Sequence, residues 1–116
     1  MFYVLINSNG IDIRESKKML TLKEMQNLVG IEGEPAYIEV ASYQSFSDKS
    51  ITMICDEEFL MKECQPTCKT IEGSILHGQV LIVGTNAKKD DFDLLTGEQV
   101  LIVRREVLLA RLLRPR

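Results

Sequence analysis

The sequence lacks the features that identify most membrane and secreted proteins. No apolar run approaches the roughly 20 residues that a membrane-spanning helix needs. The first residues have neither the basic flank nor the small-residue cleavage site of a secretory signal. The chain has three cysteines, and an odd number without an export signal indicates reduced thiols and not a disulfide framework. These absences predict a soluble cytoplasmic protein that does not contact a membrane.

Catalytic signatures are missing as well. The sequence has a single histidine, His77, and no Gly-x-Ser-x-Gly motif, glycine-rich phosphate loop or His-x-x-x-His pattern. A lone histidine is more often a surface or structural residue than a general base. We therefore expect a protein that is not an enzyme and that needs no cofactor.

The cysteines raise the alternative of a metal site. Cys64 and Cys68 are four positions apart, and Cys55 and His77 each lie nine positions outside that pair. Thiolate and imidazole are the ligands that zinc prefers, so these four residues could supply a three-cysteine, one-histidine site. The spacing does not match that of a known zinc motif, and we predict free cysteines and no bound metal.

Length and charge describe one domain with an uneven surface. The 116 residues suffice for a hydrophobic core without disulfide or metal crosslinks. Residues 1–99 hold 9 basic and 16 acidic side chains, a net charge of −7. Residues 100–116 hold five arginines and one acid, a net charge of +4. The chain therefore has an acidic body and a short basic tail, which is a weak signal for nucleic-acid binding.

The pentapeptide Gln-Val-Leu-Ile-Val occurs twice, at 79–83 and at 99–103. The first copy is mostly β-branched and is followed by Gly84, which predicts a buried central strand. The second copy follows the capping-box spacing of Thr96 and Gln99, which predicts a C-terminal helix over 97–113. In the alternative, Val100 to Val103 form a further strand and only 105–113 are helical.

Local signals place the other elements. Asn9-Gly10 favours a hairpin between strands at 2–6 and 11–14. Thr21 and Glu24 form a second capping box, and we expect Gly30 to end that helix in a left-handed conformation. Further strands are predicted at 36–40 and 51–55, and an irregular loop at 59–76. The fold class is therefore α+β: one domain over 1–116, with a mixed sheet of four to five strands, one short helix on a face and the C-terminal helix.

Several segments together resemble a known family. They are Leu20-Thr21-Leu22, Glu24-Met25-Gln26-Asn27-Leu28-Val29-Gly30, Tyr37-Ile38-Glu39-Val40, Ile54-Cys55-Asp56-Glu57-Glu58, Val80-Leu81-Ile82-Val83-Gly84 and Leu95-Thr96-Gly97-Glu98-Gln99. In this order, over roughly residues 20–99, they resemble an uncharacterised family of small proteins from phages, plasmids and other mobile elements, a domain of unknown function. The family pattern has Gly-x-Leu after the acidic pair and a Leu-Pro-Pro-Asn run in the next loop, where this chain has Phe59-Leu60-Met61 and Cys64-Gln65-Pro66-Thr67-Cys68. The resemblance implies mobile-element cargo and supplies no catalytic residues.

The C-terminal helix is predicted to carry an interface. Its apolar residues cover almost the whole circumference, more than one small core can bury, and each extra leucine could contribute about 1.5–3 kcal/mol to a contact. We assign self-association to four of them: Val103, Val107, Leu108 and Leu112. Arginine is common at interfaces and at nucleic-acid backbones, so Arg104, Arg105 and Arg111 are expected to contact a partner.

The acidic run Asp56-Glu57-Glu58 is the second predicted contact. Consecutive side chains on a strand end point in different directions, so a solvated acidic turn is more plausible than a cation site. Such a turn could receive basic residues of a partner. The leading hypothesis is a non-enzymatic mobile-element protein that binds a host protein and inhibits a defence nuclease such as a CRISPR effector. The alternatives are a nucleic-acid accessory protein that uses the arginine tail, and a structural or regulatory homodimer.

Overall fold

The computed structural model describes residues 1–30, 34–58, 64–86, 88 and 91–109. These residues form two helices and nine strands, and all strand pairings among them are antiparallel. The helices are α1 (Leu22–Val29) and α2 (Gly97–Glu106). The strands are β1 (Phe2–Asn7), β2 (Gly10–Glu15), β3 (Ile38–Ser42), β4 (Ile51–Asp56), β5 (Pro66–Lys69), β6 (Ile75–His77), β7 (Val80–Asn86), β8 (Asp91–Asp93) and β9 (Leu108–Leu109). The α+β class is confirmed.

The first pentapeptide lies in the middle of the larger sheet. The strand order is β2-β1-β7-β4-β3, and β8 pairs with the end of β7, so this sheet has six strands. Side chains 80–83 are all fully buried, because β1 and β4 flank β7 and both faces of the sheet are covered. The prediction of a buried central strand is confirmed.

Different elements cover the two faces of the large sheet. On one face, α1 packs Met25 and Val29 against Leu5, Ile54 and Leu81. On the other face lie α2 and a three-stranded sheet with the order β6-β5-β9. The side chains on that face alternate with those on the α1 face, as strand geometry requires. The molecule is therefore layered, with the large sheet between α1 and the second layer.

Capping determines where α1 starts, and close packing explains the glycine at its end. Thr21 Oγ1 accepts from the Glu24 amide at 3.1 Å, and Glu24 Oε1 accepts from the Thr21 amide at 2.9 Å, which confirms the capping box. The expected left-handed conformation of Gly30 is wrong, because its φ is −74° and its backbone is extended. A β-carbon at Gly30 would instead collide with the Glu34 carbonyl oxygen and lie 2.8 Å from the Ala36 amide nitrogen. Glycine is needed there for space.

The C-terminal helix is shorter than predicted. It ends at Glu106, Val107 is extended, and Leu108–Leu109 form β9 on the edge of β5. Strand pairing sets Cys68 between Leu76 and Leu109, and all three side chains are buried. The helical prediction for 107–109 is therefore wrong, and so is the alternative that placed 100–103 in a strand. Residues 110–116, with Arg111 and Leu112, lie outside the described residues.

The segment 59–76 is more regular than expected. Residues 59–63 lie outside the described part of the chain, but β5 and β6 form a hairpin over 66–77. The hairpin turn includes Gly73 at a φ of +103°, and the Thr70 amide donates to the Ser74 carbonyl oxygen at 2.9 Å. The prediction of an irregular loop is wrong for this part, because the inward-facing Cys68 and Leu76 complete the core of the second layer.

Candidate functional site

The predicted contact residues fall into two separate groups. Strand β4 begins after the loop 43–50 and ends at the acidic turn 56–58, and six residues of strand span about 20 Å. The last turn of α2 lies at the loop end of β4, because Glu106 accepts hydrogen bonds from Ser47 in that loop. The arginines and the acidic turn are therefore about a strand length apart and do not form one site.

The acidic turn belongs to a larger group that we call the acidic edge: Tyr37, Glu39, Glu57 and the half-buried Glu58. The Glu57 amide donates to the Tyr37 carbonyl oxygen at 2.7 Å, which sets these two residues side by side. Glu39 lies in the edge strand β3, and Tyr37 is the residue immediately before that strand, two positions earlier. Tyr37 is 67% exposed and both Glu39 and Glu57 are exposed. An aromatic ring and carboxylates thus share one rim of the sheet.

Asp56 is buried and fixes the conformation of the turn in the acidic edge. Its side chain is only 4% exposed, and Oδ1 accepts from the Glu58 amide at 2.8 Å. An aspartate that accepts a hydrogen bond from the amide two residues ahead closes an Asx turn. The prediction that Asp56 itself contacts a partner is therefore corrected: it is buried, and it fixes the turn that presents Glu57 and Glu58.

The helix α2 presents three different sides. Val100 and Val103 face the core, and Val103 is fully buried, so its assignment to a self-association surface is corrected. Val107 packs against the same core and is half-buried, whereas Leu108 is 41% exposed. The remaining side, which we call the outer face of α2, consists of exposed side chains: Glu98, Leu101, Arg104 and Arg105.

The third side of α2 holds the loop 43–50. Glu106 accepts from the Ser47 amide at 2.7 Å and from the Ser47 hydroxyl at 2.5 Å. These two hydrogen bonds, led by the one from the hydroxyl, hold the pKa of the Glu106 carboxyl below its ordinary value, because they stabilise the charged form. Phe46, the neighbour of Ser47, is buried in the core, so the loop is attached by both polar and apolar contacts.

A second set of hydrogen bonds attaches the same loop to the start of α2. Gln99 Nε2 donates to Ser50 Oγ at 2.9 Å and lies 3.3 Å from Asp48 Oδ2. The Ser50 hydroxyl and then its amide donate to Asp48, which lowers the pKa of that carboxyl. Gln99 therefore has two roles, because its Oε1 also accepts from the Thr96 amide in the capping box.

The cysteines and His77 do not assemble a metal site. Burial raises the pKa of Cys55 and of Cys68 to about 12, so both thiols are protonated at neutral pH. Nδ1 of His77 lies 2.8 Å from the main-chain oxygen of Cys64. In the described ranges, no group of three or more His, Cys, Asp or Glu side chains is placed to hold a metal ion. All three cysteines are free thiols.

Sequence reasoning missed several residues of these surfaces. Tyr37 and Glu39 alternate with apolar residues in a predicted strand, and that alternation is a signal for an exposed rim. Glu98 and Leu101 could have been found from their helical spacing to Arg104 and Arg105. The excess of apolar residues in this segment hid them, because it suggested that every side of the helix would be apolar.

Comparisons with known proteins identify the family of this chain. No helix within the described residues is both long and apolar enough to cross a membrane. Searches of curated proteins and of solved structures found no match to the chain. The model of a domain of unknown function, DUF3846, matches residues 2–108. That range extends the resemblance found over residues 20–99 to both sides, and the chain belongs to the DUF3846 family.

Proposed function

We propose that this chain is a non-enzymatic accessory protein of a phage or other mobile element, and that it acts in the cytoplasm by binding a host protein. The binding surface in this proposal is the acidic edge. One observation carries it: the exposed side chains of Tyr37, Glu39 and Glu57 lie on one rim of the sheet, where the Glu57 amide donates to the Tyr37 carbonyl oxygen and the Asp56 carboxylate accepts from the Glu58 amide. The raised pKa values of Cys55 and Cys68 also disfavour thiol chemistry at these two residues.

The chemistry of the acidic edge suits a basic partner. Carboxylates clustered on one rim create a negative potential that steers a positive surface into contact. Tyr37 adds apolar area with few rotatable bonds, as tyrosine does at the energetic centre of many interfaces. Because Asp56 already closes the turn, binding costs little conformational entropy there.

The finer proposal concerns the partner. A protein surface that attracts several carboxylates is rich in lysine and arginine, and channels that hold nucleic acid have this composition. Glu39, Glu57 and Glu58 would then occupy positions that phosphates take. We therefore propose a host defence nuclease as the partner, and a CRISPR effector as the first one to test.

An inhibition assay tests this proposal. Increasing amounts of the purified chain are added to a guide-loaded CRISPR nuclease, and cleavage of a matched DNA is measured. The wild-type chain should inhibit, and Glu57→Lys should weaken inhibition by at least about tenfold, because it sets like charges against each other at the contact. Glu15→Lys makes the same change of net charge at an exposed site on β2, and it should inhibit as the wild type does. Equal inhibition by both variants would exclude the acidic edge as the contact.

The nucleic-acid alternative makes a different prediction. Arg104 and Arg105 are exposed and adjacent, so they could contact phosphates. Binding of labelled duplex DNA should then weaken steeply with salt, and Arg104→Ala should reduce the slope of log K against log salt by about one. Salt-sensitive DNA binding without nuclease inhibition would favour this alternative.

A further inference from the structure

We propose that two copies of this chain associate through the outer face of α2, with the two helices antiparallel and Leu101 at the two-fold axis. Leu101 is 60% exposed in the middle of the helix, although its neighbours Val100 and Val103 are buried in the core. A large aliphatic side chain at the centre of an otherwise charged face gains free energy when a second surface covers it.

The charges around Leu101 make this face complementary to itself. Glu98 lies three residues before Leu101, and Arg104 lies three residues after it, with Arg105 next to it. In an antiparallel pair centred on Leu101, Glu98 of one copy faces Arg104 of the second copy, and the reverse contact repeats on the other side of the axis. A two-fold contact of this kind is the commonest form of self-association in soluble proteins.

Helix electrostatics alone does not account for the pattern. An acid in the first turn and bases in the last turn favour the helix dipole, so the positions of Glu98 and the arginines have a local explanation. The dipole gives no reason for an exposed leucine between them. Arg105 also lies 3.8 Å from its neighbour Glu106, but its side chain is 70% exposed, so that ion pair is weak.

The rest of the described structure leaves this face accessible. The loop 43–50 contacts α2 through Gln99 and Glu106, which lie on another side of the helix. The helix α2 has ten residues and is about 15 Å long. The area that its outer face can bury is therefore smaller than the roughly 1,200–2,000 Å² of a standard interface. We therefore expect a weak dimer that dissociates in the micromolar range.

Charge exchange between two variants tests the geometry. Sedimentation equilibrium over a range of concentrations should show a monomer–dimer equilibrium for the wild type. Glu98→Arg alone, and Arg104→Glu with Arg105→Glu, should each raise the dissociation constant at least about tenfold, because each places like charges opposite one another. Mixed in equal amounts, the two variants should form a heterodimer about as stable as the wild-type dimer, because both contacts are then matched.

Controls separate this surface from the acidic edge. Leu101→Asp should also abolish the dimer, whereas Glu57→Lys should leave it unchanged. Circular dichroism of each variant checks the fold, which these exposed substitutions should preserve. A wild-type chain that sediments as a monomer throughout would overturn the proposal, and so would variants that associate like the wild type or a mixture that fails to restore the dimer. The nuclease assay with Glu57→Lys does not depend on this result.

Discussion

The two copies of Gln-Val-Leu-Ile-Val adopt opposite conformations. In the first copy, residues 80–83 belong to the central strand β7, and all four side chains are fully buried. The second copy is in α2, where Val100 and Val103 are buried, Ile102 is partly buried and Leu101 is exposed. An identical stretch of five residues therefore does not determine its own secondary structure.

Flanking residues account for the difference. Valine and isoleucine favour strands, so the second copy is helical against its intrinsic preference. Thr96 and Gln99 cap the start of α2, and charges of the favourable sign lie in its first and last turns. The first copy is preceded by Gly78 at a φ of +75° and is paired on both sides by β1 and β4. Local capping favours the helix in one case, and neighbouring strands favour extension in the other.

The glutamines of the two copies show the same dependence on context. Gln79 Nε2 donates to the Leu28 carbonyl oxygen at 2.8 Å and so satisfies a group at the end of α1. Gln99 instead accepts from the Thr96 amide at the start of its own helix. Each side chain satisfies a main-chain group at a helix end, but the two helices and the two ends differ.

Truncating the leucine at the equivalent position of each copy, Leu81 or Leu101, should give the largest difference in the free energy of unfolding. Leu81→Ala removes a fully buried side chain between two strands and should lower the free energy of unfolding by about 2–5 kcal/mol. Leu101→Ala removes an exposed side chain and should change the free energy of unfolding by no more than about 0.5 kcal/mol. Urea unfolding of both variants, followed by circular dichroism at low protein concentration, measures the difference. Similar losses would mean that Leu101 is buried in the folded chain.

Removing the cap tests what keeps the second copy helical. Thr96→Ala deletes the acceptor of the Gln99 amide and should cost about 1 kcal/mol of stability. The free energy of unfolding is measured as for the leucine variants, with Thr21→Ala in the other capping box as the matched comparison. If Thr96→Ala had no effect while Thr21→Ala destabilised the chain, packing of Val100 and Val103 would suffice to hold the second copy in a helix.

Low pH should weaken the hydrogen bonds between Glu106 in α2, the helix that contains the second copy, and Ser47. Because the pKa of Glu106 is lowered in the folded state, its contribution to stability is present above the ordinary glutamate pKa and is lost as the pH falls through the folded value. We expect Glu106→Gln to flatten the dependence of the melting temperature on pH below about 4.5. Its effect on stability should be smaller than the effects of Leu81→Ala and Thr96→Ala. Glu15→Gln on β2 is the control. An identical pH profile for Glu106→Gln and the wild type would contradict the role of the Ser47 contact.

Much of the fold follows from short-range signals. The first hairpin, both capping boxes and the central strand all depend on residues that are close in sequence, and the structure confirms them. The predicted loop of the hairpin is one residue off, because Gly10 pairs with Asn7 and the two loop residues are Ser8 and Asn9. Predictions failed where long-range pairing competes with a local pattern. Leu108 and Leu109 continue a helical apolar pattern, but they pair instead with β5, some 40 residues earlier in the chain.

For the candidate surfaces too, the sequence predicted some features and only the structure decided others. From the sequence alone, Glu57, Glu58, Arg104 and Arg105 could be named as charged contact candidates, because their clustering is visible in one dimension. Burial could not be assigned in the same way: Asp56 and Val103 lie inside the protein, although they occur in the same runs.

The sequence by itself determined that this chain builds an α+β domain around residues 79–83, with helices that begin after Thr21 and Thr96. These outcomes depend on hydrogen bonds and apolar periods that span only a few residues. Only the tertiary structure decided that α2 ends at Glu106, that Leu101 and not Val103 faces outward, and that the acidic edge lies about a strand length from the arginines. Those outcomes depend on which surfaces pack together, because burial and strand pairing are decided between segments that are distant in the chain.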